Sequence, residues 1–411
     1  MRGRRSALCV DFFPRSTLTM TFQQKTILWR PVIAVAMVQG SIALMWVVYN
    51  LYLPKFLKDL GYASSLGLVL LGIEGLLGAV MEPLAGTVND RTLRGFGVQF
   101  PLVLGGALVS AVMFVLIPWV ALWGLSATMM KFFFVMFVIL WASAMATFRA
   151  PVLSLLGRYS NQTQLPQASS TLMMSGALVQ IFSVPSQKGI LEGVGPFWTF
   201  GISGLVLAVA IAGLYAAGPM QSLTKALPGR PSQGMDLGRV GILVFLGGAI
   251  ALGLMMVRKV LLPQPTMELG LSVFMAGNLL ALLPAGWVAV RVGNVRCLFW
   301  ALVSAIVLVL MLTFPALWPI AWFGLGIAIA FVMNAALPIA IAQSTANRTG
   351  VAVGAYFGGV SIAGVMINFL TLAIGPLSPE VASRLAVVAF AGAIVGVWWL
   401  YPKPWATKIK I

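Results

Sequence analysis

Apolar residues fill this chain in long blocks separated by short polar segments. About twelve runs of roughly 17 to 25 residues follow one another, each long enough at 1.5 Å per helical residue to cross a hydrocarbon core of about 30 Å. The runs lie near 31–53, 66–87, 99–118, 129–149, 168–186, 197–217, 240–262, 267–289, 297–315, 319–341, 351–372 and 382–401, with Pro185 interrupting the fifth. A β-barrel would show short alternating segments instead. The predicted fold class is an all-α membrane protein with 12 transmembrane helices.

The longest polar stretch inside the chain, Gly218 to Arg239, is rich in proline and glycine and divides the runs into six and six. This predicts a tail at 1–30, a six-helix bundle at 31–217, a linker at 218–239, a second six-helix bundle at 240–402 and a tail at 403–411. A repeat is visible in the letters. Pro83-Leu-Ala-Gly86-Thr-Val-Asn-Asp90-Arg91 and Leu283-Pro-Ala-Gly286-Trp-Val-Ala-Val290-Arg291 share Ala, Gly and Arg at an offset of 200 residues, each after the second run of its half. A duplicated unit of this kind implies a site between two pseudo-symmetric halves.

Composition removes the soluble classes. Hydrophobic residues make up 60% of the chain, charged residues 9%, and mean hydropathy is +0.99, where a soluble domain is about 25% charged. The net charge of +17 does not read as a nucleic-acid surface, because no basic run exceeds Arg4-Arg5. Of the 26 basic residues, all but seven (Lys55, Lys58, Lys131, Lys188, Arg258, Lys259 and Arg384) fall on the side that holds the N-terminus. That bias predicts both termini in the cytoplasm; the membrane expected is a bacterial inner (plasma) membrane or that of an equivalent organelle. Asp11 and Pro14 interrupt the one short apolar run near the start, so no cleaved signal peptide is expected.

Cys9 and Cys297 stand in unrelated contexts and the chain has no histidine, so neither a disulfide framework nor a metal site is implied. No P-loop and no GxSxG occurs, so neither an enzyme nor a cofactor is expected. The expected partners are a small-molecule substrate, membrane lipids and protons, and the expected state is a monomer.

The most specific letters are Glu82-Pro83-Leu-Ala-Gly86-Thr-Val-Asn-Asp90-Arg91-Thr92, followed by Phe96-Gly97 and Pro101. They resemble the loop between the second and third helices of the major facilitator superfamily. Within it they are most similar to the glycoside-pentoside-hexuronide:cation symporters and the related sucrose-type transporters. Val98, Gln99 and Phe100 stand where those families carry basic residues. Phe148-Arg149-Ala150-Pro151 and Gln167-Ala168-Ser169 are similar to the end of the fourth helix and the start of the fifth in the same transporters.

The loop also reads without a family. Gly86 admits a neighbouring backbone, and Asp90 suits the exposed N–H groups of a helix N-terminus while balancing a cation. The resemblance implies that the neighbour is the eleventh helix near Thr349–Val353 and that Arg149 is the cationic partner. Gly86, Asp90, Arg91 and Arg149 would then latch the halves on the cytoplasmic side; the other reading is a charge that fixes topology. Val290 replaces the carboxylate in the second half, so such a latch is one-sided.

Glu74 lies about eight residues into the second helix, where a carboxylate must be paired, protonated or facing water. It is either a coupling residue or a structural hydrogen bond. Glu82 is a second coupling candidate, since the symporters carry Asp-Pro at its position. Gln39, Asn50, Gln180, Asn278, Asn334 and Asn368 are polar at membrane depth, and Tyr49, Trp141, Trp322 and Tyr356 offer the apolar body of a pocket. Each amide serves equally as a tie between helices. The expected function is secondary active transport of a small solute, sugar- or glycoside-like by resemblance, by alternating access. The alternatives are export of an apolar compound, or a non-transporting factor for assembly or pigment delivery to a membrane complex.

Overall fold

The structure, a computed structural model, describes residues 27–63, 65–96, 100–183, 189, 193–217, 236–261, 267–344 and 348–401. Among these residues it holds helices and no strand. The long helices are α1 (Trp29–Asp59), α2 (Ser65–Phe96), α3 (Phe100–Trp119), α4 (Ala127–Ser154), α5 (Leu165–Gln180) and α6 (Pro196–Ala217), then α7 (Leu237–Leu261), α8 (Met267–Val292), α9 (Asn294–Met311), α10 (Trp318–Ala342), α11 (Thr349–Ile374) and α12 (Pro379–Leu400). The expected linker 218–239 falls outside the described residues up to 235, as do most of the first tail, all of the second and Pro185.

Eleven of these helices are long and apolar enough to cross a membrane, which makes the chain an integral membrane protein. The exception is α5, at 16 residues, which ends in the 3-10 turn Ile181–Ser183. It starts at Leu165, earlier than its apolar run suggests, because Pro166 fits the first turn, where a missing N–H costs nothing. The outward faces are apolar too: Trp198, Leu205 and Val209 of α6 point away from the bundle, as lipid contact requires.

Each half packs in the same order. In the first, α1 lies against α5 and α6, α3 against α4 and α6, and α2 against α4; in the second, α7 lies against α11 and α12, α9 against α10 and α12, and α8 against α10. Adding six to each helix number converts the first set into the second. Two cores result, one around Tyr49, Phe114, Trp141 and Phe200, the other around Trp322, Leu325, Tyr356 and Phe390. The halves meet along α2–α11 and its pseudo-equivalent α8–α5, with smaller contacts at α4–α11 and α10–α5.

Both described chain ends lie on one face of the bundle. The Leu28 N–H donates to the Tyr159 carbonyl in the short turn that follows α4 (3.0 Å), and Tyr401 reaches Gln343 at the end of α10. We call this the terminal face. The Asp90-Arg91 segment belongs to it, but not as the expected loop: α2 stays helical to Phe96. No glycine or proline interrupts it between Gly86 and Gly95, and the hydroxyls of Thr87 and Thr92 fold back onto the Pro83 and Val88 carbonyls (2.8 Å each). Asp90 is therefore fixed on a rigid element.

Candidate functional site

The terminal-face seam is built from backbone. On α11, Gly350, Gly354 and Gly358 recur every four residues and so share one face. A Cβ on Gly86 would overlap the Gly350 carbonyl oxygen, and one on Gly354 would overlap the Glu82 carbonyl oxygen. A Cβ on Gly358 would stand 3.0 Å from Pro83 Cγ. Only residues without side chains let α2 and α11 approach this closely.

Asp90 closes the end of the seam. Its Oδ1 accepts from the Gly350 N–H at 3.0 Å and its Oδ2 from the Val351 N–H at 2.9 Å, two donors that helix geometry leaves without partners in the first turn of α11. The residue preceding α11, Arg348, provides no side-chain cap, so a carboxylate from the opposite half does. The guanidinium of Arg158, in the short helical turn Leu156–Tyr159, lies near enough for its charge to act on Asp90. Arg91 is exposed.

The pseudo-equivalent seam has the glycine but not the carboxylate. A Cβ on Gly286 would stand 2.8 Å from Ser170 Oγ and 2.9 Å from the Pro166 carbonyl oxygen of α5. Val290 occupies the place of Asp90, and Gln164 gives α5 no side-chain cap.

Two turns further into the bundle, Glu82 of α2 pairs with Arg149 of α4, Nη2 to Oε1 at 3.3 Å. Arg149 thus meets Glu82, whereas the charge of Arg158 acts on Asp90. The Arg149 guanidinium also covers the Phe357 ring of α11, with Cζ 4.4 Å from the centroid. Tyr356 is close enough to sense its charge. Both Glu82 Oε2 and Arg149 Nε are buried without a partner among the described residues.

About 12 Å further along α2 stands Glu74. The Tyr49 hydroxyl of α1 donates to Glu74 Oε1, and Glu74 Oε2 is buried without a partner among the described residues. Tyr49 packs on Trp141 (4.8 Å between centroids), and Trp141 touches Trp46 and Phe114 (5.1 Å each). Trp141 is fully buried and its Nε1 finds no acceptor among the described residues.

The other candidates are dispersed. Asn278 donates to the Gly326 carbonyl and Asn334 to the Leu282 carbonyl, 3.2 Å each, so both tie α8 to α10. Asn50 is exposed and bonds the Trp46 carbonyl of its own helix at 2.7 Å. Gln39 lies beside Gly176 of α5, with Oε1 buried and unpartnered among the described residues. Gln180 and Asn368 are half-buried, and Trp322 sits in the second core. The stretch Thr349–Val353 expected beside Asp90 contains Gly350, whereas nothing local in the sequence marks Phe357 or Arg158.

Known structures share this architecture. The chain superposes on FucP, a major facilitator superfamily transporter in an outward conformation, with TM-score 0.60 and 12% identity over 90% of this chain and 98% of that one. It superposes on the human organic anion transporter TETRAN with TM-score 0.63 and 12% identity over 91% and 99%, and on a variant of the E. coli fucose:proton symporter FucP with 0.59 and 13% over 91% and 99%. No protein-family model and no curated protein sequence matches. At this identity the likeness is one of fold: the chain has the fold of major facilitator transporters.

Proposed function

We propose that the protein is a secondary carrier that moves a small polar solute by alternating access between α1–α6 and α7–α12. The observation that carries the reading is the α2–α11 seam. It joins two repeats backbone to backbone and ends in a carboxylate on a helix N-terminus, a closure that parts without unlocking large side chains. A buried ion pair and a buried carboxyl–phenol pair stand behind it. Motif resemblance to the glycoside and sucrose-type symporters, and the fold likeness to a fucose:proton symporter, support a sugar-like solute and proton coupling through Glu74 or Glu82. The bias of basic residues supports an orientation with the terminal face in the cytoplasm.

Counterflow of labelled sugars, glycosides and small organic acids in proteoliposomes tests this, with saturable flux expected. Flux confined to lipophilic dyes would favour apolar export. No flux, with a membrane complex co-purifying, would favour the assembly or pigment-delivery reading that Val98, Gln99 and Phe100 suggest.

Asp90→Asn is expected to weaken closure. The amide keeps one oxygen but turns an NH2 toward the second N–H and removes the charge facing the α11 dipole, a loss of about 1–2 kcal/mol. Cysteine labelling at the seam should quicken roughly 5- to 30-fold, while Val290→Ala leaves it unchanged. Glu74→Gln is expected to abolish concentrative uptake and spare exchange if Glu74 carries the coupling proton. Uptake that stays concentrative and pH-dependent would reduce the Tyr49–Glu74 bond to a tie between α1 and α2.

A further inference from the structure

Arg149 is underused. A guanidinium offers five N–H donors in a planar fork, yet among the described residues its one acceptor is Glu82, through a single Nη2 contact of 3.3 Å, and its Nε is buried without a partner. The two charges are also unequally covered, with side-chain exposure of 17% for Arg149 and 2% for Glu82. Arg149 is the more exposed member of the pair. Its face rests on Phe357 of the opposite half, so the guanidinium itself bridges the two halves.

We propose that the solute carries a carboxylate, or an oxyanion of similar size, that binds edge-on to Arg149 between α2, α4 and α11. This rests on the carrier reading and names its substrate class. The missing partners are acceptors, and a carboxylate supplies two in the plane of the fork. A neutral hydroxyl supplies acceptor capacity without the matching geometry or charge.

Charge balance adds a second element. Glu82 and Arg149 are neutral together, so an anion arriving alone would leave one uncompensated negative charge in the membrane interior. One proton taken from solution onto a Glu82 carboxylate oxygen restores neutrality: cationic Arg149, neutral Glu82 and bound anion. The groups that bear on Glu82 are few. Arg149 faces it from α4, Tyr356 is the titratable residue of α11, and α3, which packs on α4, has none. Tyr49 of α1 is engaged by Glu74, and Asp90 with Arg158 lies two turns toward the terminal face. Binding should therefore draw in one proton per anion.

The test is titration of the purified full-length protein with lactate, gluconate and benzoate, each against its neutral counterpart lactamide, sorbitol and benzamide, from pH 5.5 to 8.5. At least one carboxylate is expected to bind, to outbind its neutral counterpart by tenfold or more, and to lose about tenfold in affinity per pH unit once Glu82 is ionised. Glu82→Gln should bind the same carboxylate with no pH slope. Glu82→Gln with Arg149→Gln removes both charges together, so it should keep its melting temperature and lose carboxylate binding by about 100-fold. Equal affinity for neutral counterparts, a pH slope that persists in Glu82→Gln, or no binding of any carboxylate overturns the proposal. Saturable counterflow of neutral sugars in the same preparation would leave the carrier reading standing while the anion proposal fell.

Discussion

Adding one methyl group at Gly86 should open the protein on its terminal face. In Gly86→Ala the new Cβ would overlap the Gly350 carbonyl oxygen and stand 2.6 Å from its carbon, and neither is a flexible side-chain end that can swing aside. Backbone must move, at a cost of about 1–3 kcal/mol for overpacking, and the joint between the halves gives before a packed core does. A seam weakened by that amount shifts an open–closed equilibrium by roughly 5- to 150-fold. Cysteine labelling behind the seam should quicken accordingly, and transport should fall because the closed state is no longer reached. Gly201 on α6 supplies the control: nothing lies within 4 Å of a Cβ there, so Gly201→Ala should change neither reading. Equal effects at both glycines would mean that helix propensity, not the seam, was being measured.

Arg149→Gln is expected to be the most damaging single substitution. Glu82 is 2% exposed and its other oxygen has no partner among the described residues, so removing the guanidinium leaves a buried carboxylate with no described cation beside it. Breaking a buried pair from one side costs about 3–5 kcal/mol, whereas removing both charges is often neutral. The melting temperature in detergent should fall steeply for Arg149→Gln and recover in the double variant with Glu82→Gln. A double variant no more stable than Arg149→Gln would show that Arg149 holds the fold through Phe357 and not through Glu82.

Much of the fold was legible because a membrane span must be an apolar run of fixed length. The run at 197–217 became Pro196–Ala217 almost unchanged. Where run and helix part, the reason is that hydropathy reads membrane thickness and not hydrogen bonding. The helix α1 continues past its run at 31–53 through Pro54 and Lys58 to Asp59, and α2 carries Asp90 on its closing turns. Asp90 and the start of α11 were legible together through a motif. The partner of Arg149 was not, since nothing in the letters joins positions 82 and 149, and only the packing of α2 on α4 brings them to 3.3 Å. The amides behaved as physics allows in lipid: Asn278 and Asn334 satisfy carbonyls of neighbouring helices instead of facing a pocket.

The central claim is that the two halves part at the terminal face during the working cycle. Spin labels at Arg91→Cys on α2 and Arg291→Cys on α8, both exposed and on opposite halves, report that movement in a background with Cys9 and Cys297 replaced by serine. Pulsed dipolar spectroscopy in lipid nanodiscs should give two distances: a short one that dominates in the wild-type chain, and a longer one that grows in Gly86→Ala and Asp90→Asn. A single distance, identical in all three proteins, would contradict alternating access and leave a rigid bundle with a transporter's fold.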